Sequence, residues 1–310
     1  MIRIRADLRR RALPAGSVSG MLAWHKEVAI RKKCHFRLRV ALAISLFFAP
    51  LPAGAAELKP EAVKGFDNYV RLTESRMQAE LAPGGVFLWV DGLPEPRRAE
   101  AQARLQRGEV ISAKLLTADP SGHSSTPGAL IHHWVGTIFI PGVSLTDVFV
   151  VVRDYDRHAE YYNPHVMQAR AVEHSGDEFK VHYRLREKKI ITIYLDADYT
   201  VHHYTLDAAR AYSTSVSTRI AQVENPGEPG ERELPLGKDG GYLWRLNSYW
   251  RYFAAGGGVY VQCEAVTLTR DIPTALNWLV GPFIESVPRE SLDFTLLSTR
   301  SAVLRLHAGK

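Results

Sequence analysis

From Ile131 to Leu304 the spacing of apolar positions follows an ordered series: a strand period, a helical period, several strand periods in succession, and a long helical stretch at the end. The clearest segment is a hairpin from Gly241 to Arg270. On its first arm Trp244, Leu246, Trp250 and Tyr252 share one face with Ser248 between them, while Arg245, Asn247, Tyr249 and Arg251 share the other. Val259, Val261, Cys263 and Ala265 continue the apolar face on the second arm. A turn over Ala254 to Gly257 predicts Trp250 opposite Val261, Ser248 opposite Cys263, Asn247 opposite Glu264 and Arg251 opposite Tyr260.

Earlier in the chain, His132 to Ile140 reads as a strand stopped by Pro141-Gly142. The next helix starts at Ser144, with Asp147 at capping-box spacing, and Leu145, Val148, Phe149, Val151, Val152 and Tyr155 make it largely apolar. Strands are predicted at Met167 to Glu173, Phe179 to Arg186, Ile190 to Thr200 and Ala211 to Val223, followed by a surface loop from Asn225 to Gly241. From Pro273 to about His307 the chain reads as helix, interrupted or kinked near Pro282 and Pro288. Upstream, Leu58 to Leu81 is a helix with Val63, Phe66, Tyr69, Val70 and Met77 in a stripe. Val86 to Val90 is a short strand, Glu95 to Gln106 a polar helix, Val110 to Leu116 a strand, and Asp119 to Gly128 a linker. This upstream part is expected to pack on the main body and close one end of it.

The first 56 residues are a different kind of sequence. Eleven Lys or Arg against two acids lie before Val40; the apolar stretch Val40 to Leu51 and the small residues Ala53 to Ala56 follow. Basic, apolar, then small is the order of an export signal, and the apolar run is shorter than the roughly 20 residues a membrane span needs. The expectation is cleavage near Ala55 or Ala56, with translation starting at Met1 or Met21, and a periplasmic or secreted mature protein. The domain reading is therefore a leader over 1–56, an N-terminal extension and linker over 57–128, and a main domain over 129–310. Removing the leader's eleven basic and two acidic residues from 39 and 33 leaves 28 and 31, so the mature chain is slightly acidic. The apparent basicity belongs to the leader, and no nucleic-acid partner is expected. Cys34 leaves as well, and the remaining Cys263 cannot form an internal disulfide.

The segment Ser144 to Pro164 resembles the grip-helix region of START-like proteins, also called SRPBCC or polyketide cyclase/coenzyme-Q-binding-like domains. Asp154-Tyr155 and Tyr161-Tyr162-Asn163-Pro164 carry the resemblance, although the tryptophan often found before the proline is absent here. The hairpin and long C-terminal helix extend the match over about 175 residues. It implies an α+β helix-grip fold, a curved antiparallel sheet wrapped around the long C-terminal helix, with a cavity that in different members holds lipids, sterol-like molecules, quinones or polyketides. Independently of the resemblance, a strongly bent sheet has more concave surface than one helix fills, so bulky side chains or a ligand must take up the remainder. Trp244, Trp250, Tyr252, Trp278 and Phe283 could do either.

The residues expected to line the cavity are Tyr155, Tyr183, Trp244, Leu246, Ser248, Trp250, Val261, Cys263, Phe283 and Phe294, with Arg251 and Glu264 as candidate polar anchors. Two placements of that pair stay open: an outer face of cross-strand polar pairs, or an inner face holding a ligand head group. No cofactor or metal is expected. The pairs His132-His133 and His202-His203 read as solvated strand histidines, because adjacent strand residues point to opposite faces. Gly-x-Ser-x-Gly elbows, phosphate-binding glycine loops and Rossmann fingerprints are missing from the sequence. The leading expectation is an exported, non-catalytic binding or carrier protein for a hydrophobic small molecule, with transient membrane contact. The alternative is a cyclase or hydrolase using Tyr183, His182, Arg251 and Glu264. A third reading has the N-terminal extension filling the groove as part of an interaction module.

Overall fold

The computed structural model describes residues 56–117, 126–188, 191–271 and 274–309, with the side chains of 274–285 outside that description. Residues 55–310 form one compact unit. Its centre is an antiparallel sheet built from β2 (Ile111–Lys114), β3 (Ala129–Pro141), β4 (Val166–Ser175), β5 (Glu178–Lys188), β6 (Thr192–Thr205), β7 (Arg210–Glu224), β10 (Arg245–Ala255) and β11 (Gly258–Arg270). The spatial order is β2-β3-β11-β10-β7-β6-β5-β4, with the short β8 (Arg232–Glu233) on β7. A smaller pair joins β1 (Ala56–Glu57) to β9 (Lys238–Asp239). Register shifts at Ala171/Glu173 and Asp198/Tyr199 bend the outer strands, as bulges do.

On the concave side lie α3 (Leu145–Val152) and the long α5 (Thr274–Ala308), with the short α4 (His158–Tyr161) between them in the chain. The capping box that starts α3 forms: Asp147 N donates to Ser144 Oγ at 3.2 Å, and Ser144 N donates to Asp147 Oδ2 at 2.9 Å. The helical assignment of α5 runs through Pro288 without a break. Gly136 lets it approach the sheet, since a Cβ there would sit 2.7 Å from Leu296 Cδ1 and 3.2 Å from Leu292 Cδ2. Ile138, Ile140, Val261, Cys263, Tyr252, Leu292, Leu296 and Val303 make one continuous core across this contact. The result is the helix-grip arrangement expected from the order of elements.

Most of the N-terminal extension takes the other side of the sheet, while Val110, just before β2, packs against the concave-side core. Along α1 (Pro60–Leu81), Ala62, Phe66, Tyr69 and Met77 pack on Tyr249, Val266 and Leu268. Beyond it, Val90 and Leu105, the latter in α2 (Arg97–Gln106), pack around Phe139. The strand expected at Val86 to Val90 is instead an extended lead into a 3-10 turn, Trp89–Gly92. Its backbone is satisfied from outside the segment, with Trp89 N donating to Gln262 Oε1 at 2.7 Å. Among the described residues, no helix is long and apolar enough to cross a membrane.

Candidate functional site

The hairpin pairs two residues away from the expected register: Trp250 faces Cys263, Ser248 faces Ala265, Tyr249 faces Glu264 and Arg251 faces Gln262. The turn tightens onto Gly256 and Gly257, both at positive φ, so Ala255 pairs with Gly258. A shift of two preserves every side chain's face. The concave surface therefore carries Leu246, Ser248, Trp250 and Tyr252 from β10 and Val259, Val261, Cys263 and Ala265 from β11. Trp134, Gly136, Ile138 and Ile140 from β3 continue it on one flank, and Ala211, Ser213, Ser215 and Ser217 from β7 on the other.

This surface has two halves. Toward the hairpin turn it is packed solid. Phe149 of α3 sits 5.2 Å from the Tyr252 ring and 6.1 Å from His203, and Tyr155 lies 5.0 Å from Phe179. Val261 and Cys263 are closed over by Leu292 and Leu296. Toward the opposite end, Trp134, Leu246, Ser248, Trp250, Ser215, Tyr183, Leu185 and Phe294 all retain accessible surface.

Neutral hydrogen-bonding groups punctuate both halves of this surface. His158 Nε2 lies 3.2 Å from the Val151 carbonyl, which can only accept, so Nε2 carries the proton. His158 Nδ1 then accepts from the Tyr183 hydroxyl at 2.9 Å. Burial holds His158 down to about 4 and pushes the Tyr183 phenol well up, so both stay uncharged near neutrality. Burial, helped by the Arg153 guanidinium, lowers His203 to about 4; its Nε2 is 2.8 Å from Tyr155 Oη. Four further side-chain atoms are buried with no hydrogen-bond partner among the described residues: Tyr199 Oη, Trp134 Nε1, His203 Nδ1 and Asp293 Oδ1. Each such orphan costs about 1 to 3 kcal/mol.

The two charged residues expected as anchors are on the opposite face. Arg251 and Glu264 are 3% and 2% exposed, yet they lie beneath α1 and away from the concave side. Glu264 Oε1 is 2.6 Å from His133 Nε2 and also accepts from Arg76, which reaches Glu80 at 2.6 Å. Arg251 bonds Glu80 Oε2 at 2.6 Å and donates to the Phe87 carbonyl at 2.7 Å. Tyr69 Oη completes the network 2.9 Å from His133 Nδ1. Burial raises the Glu264 pKa, but the hydrogen bond and charge of His133 and the nearby Arg76 outweigh it and leave the carboxyl below its ordinary value. The two open readings of this pair are thus both replaced: the face is outer, and it is buried. It serves as the seam between α1 and the sheet.

The other expected site residues divide as follows. Tyr155, Tyr183, Leu246, Ser248, Trp250, Val261, Cys263 and Phe294 lie in the concave-side clusters or on the concave rows; Val261 and Cys263 are inside its packed half. The Phe283 side chain falls outside the described residues. Trp244 belongs to the outer cluster with Phe66 and Leu268, because the chain bends ahead of β10 and the indole donates to Asp239 Oδ1 at 3.0 Å. His182, proposed alongside Tyr183 for catalysis, is on the outer side bonded to Asp198 at 2.7 Å. The four residues of the enzyme reading are therefore split between two faces. The extension does not fill the concave groove, as the interaction-module reading required. The histidines at 132, 133 and 203 are buried rather than solvated, at 4%, 1% and 6% exposure. Sequence reasoning missed Tyr199, Trp134 and the serines of β7, although the alternation Ser213, Ser215, Ser217 is itself a strand-period signal.

No protein family and no curated relative matches this chain. Among solved structures, it is similar to a STAR-related lipid transfer protein fragment from Xanthomonas axonopodis, at 15% identity over 62% of this chain and 98% of that one, with a TM-score of 0.41. It is also similar to the ZhuI aromatase/cyclase from Streptomyces sp. R1128, at 12% identity over 57% and 95% of the two chains and a TM-score of 0.39. A START superfamily protein from Mycobacterium smegmatis aligns at 9% identity over 56% and 98%, with a TM-score of 0.37. These likenesses are of fold alone.

Proposed function

We propose that this protein binds a hydrophobic small molecule between its concave sheet face and α5, and that it works as an exported carrier or sequestering protein. The observation that carries this reading is the contrast between the two halves of the concave surface. One half is filled by the protein's own rings; the other leaves Trp134, Leu246, Trp250, Tyr183 and Phe294 with accessible surface on a face otherwise made of core residues. Covering such apolar surface stabilises by about 25 cal/mol per Å², which favours an oily guest over water. Carriage is preferred to catalysis because the polar residues offered for catalysis stand on opposite faces, and because Tyr183 and His158 are locked in a neutral pair. The leader, with its basic, apolar and small-residue order, supports export.

Protein purified from the exported fraction should carry a small molecule detectable by native mass spectrometry. After delipidation it should bind N-phenyl-1-naphthylamine saturably, with one molecule per chain and quenching of tryptophan emission. A clean apo mass together with no saturable binding removes the proposal. Recovery of the full-length chain from the cytoplasmic fraction with its leader intact removes the export part alone.

A further inference from the structure

The concave face carries an uncharged polar stripe whose chemistry narrows the guest. Across neighbouring strands the register sets Trp134 beside Ala265, Ala265 beside Ser248, Ser248 beside Ser215 and Ser215 beside Val201. One residue pair along, Ser217 faces Tyr199. Ser248 Oγ accepts from Trp250 Nε1 at 3.2 Å and Ser217 Oγ accepts from Leu246 N at 3.0 Å, so each hydroxyl keeps its proton to donate. Small residues alone would mean only close packing. The independent observation is Tyr199, 5% exposed and paired in register with Ser217, whose hydroxyl is buried with no partner among the described residues. At the far end of the stripe, Trp134 Nε1 is a donor in the same condition.

The central strands carry no charge on this surface; the carboxylates on the concave side are Glu187 at the end of the β5 row, 2.9 Å from His165 Nδ1, and Asp293 of α5. On the concave rows of β3, β11, β10, β7 and β6, the described residues include no Asp, Glu, Lys or Arg; Arg251, Glu264, Asp196, Asp198 and Arg219 of the same strands all take the other face. An anionic guest would leave water with no cation on these rows to meet it, whereas a neutral hydroxyl or carbonyl meets donors already in place. Adjacent strands are about 5 Å apart, and alternate residues of one strand about 7 Å. Over the neighbouring β3 row, Leu292 and Leu296 of α5 supply hydrocarbon.

We infer that the guest is a neutral molecule bearing two or more hydroxyl or carbonyl oxygens about 5 to 7 Å apart along one edge, with a hydrocarbon opposite edge, and that Tyr199, Ser215, Ser217 and Ser248 contact those oxygens. This rests on the binding reading above.

Three probes of one ring skeleton test it by calorimetry on the delipidated mature chain at pH 7: naphthalene, 2,7-dihydroxynaphthalene and 2-naphthoate. The diol should bind at least tenfold more tightly than naphthalene, and the carboxylate at least tenfold more weakly than the diol. Tyr199→Phe and the double variant Ser215→Ala, Ser248→Ala should each erase most of the diol's advantage while leaving naphthalene affinity within twofold. Tyr199→Phe removes only an unpartnered hydroxyl, so its thermal midpoint should be unchanged or raised, which separates lost contact from lost folding. Equal affinity for diol and naphthalene, or variants that weaken both equally, overturns the inference and leaves apolar binding standing. No binding of any probe overturns both.

Discussion

Acid should loosen this protein well above the range where carboxylates protonate, through two buried histidines. His158 and His203 are 6% exposed and are held down to about 4, chiefly by burial. In the unfolded chain both titrate near 6.5. Between those values the unfolded state binds protons that the folded state refuses, so stability is fully present above about pH 6.5 and falls as pH drops toward about 4. For one such histidine, linkage between pH 7.0 and pH 4.5 amounts to about 2.4 kcal/mol, and the pair to about 5 kcal/mol, a large part of the roughly 5 to 15 kcal/mol a domain has. The assay is urea unfolding followed by tryptophan emission at both pH values. Each protein is compared with itself, so the intrinsic cost of a substitution cancels. His203→Gln keeps a polar group near Tyr155 Oη and cannot take the proton; its loss between the two pH values should be smaller than the parent's by about 2 kcal/mol. His158→Gln should behave alike. If both variants lose as much as the parent, within about 0.5 kcal/mol, burial of the neutral imidazoles is not what resists acid.

Three further outcomes are expected. Glu264→Ala leaves His133 Nε2 unpaired at a site 1% exposed and should cost about 2 to 4 kcal/mol in urea, while affinity for N-phenyl-1-naphthylamine stays within twofold; a cost under about 1 kcal/mol would dismiss the seam. Gly136→Val places atoms where Leu296 and Leu292 already sit, and should lower stability by about 1 to 3 kcal/mol; an unchanged urea midpoint would show that α5 can retreat freely. Cys263 is 3% exposed and its thiol is pushed up by burial, so Ellman's reagent at pH 8 should leave Cys263 unlabelled in the native protein and label it after denaturation, whereas labelling of native Cys263 within minutes would contradict the packing of Leu292 and Leu296 over it.

The alternation of β10 and β11 was readable because each face is uniform over many residues, and a register error of two leaves such alternation intact. The capping box was readable because Ser144 and Asp147 act within one turn. What sequence could not supply was the surroundings of a face. Arg251, Glu264 and His133 look like solvated strand residues until α1, more than 150 positions upstream of Glu264, is laid over them. Trp244 was misplaced because a bend just before a strand ends the parity rule that assigns faces. The split of the concave side into packed and accessible halves depends on Phe149 and Tyr155, contributed by a different element from the strands they cover. Periodicity within a strand holds no information on which helix reaches which end of it.

The charged seam and the neutral hollow are linked through the pleat. In β10 and β11 the two faces alternate residue by residue, so a slip of one would carry Arg251 and Glu264 into the hollow and Trp250 and Cys263 beneath α1. Either displaced carboxylate or guanidinium would be buried without its partners, at a cost of several kcal/mol. The bonds from Arg76, Glu80 and His133 therefore hold the hairpin in the register that keeps the hollow uncharged, although none of those residues faces it. It follows that α1 governs the register behind the hollow without facing it. Loss of α1 would uncover Val266 and Leu268, both fully buried, and would free the register on which the neutral stripe depends.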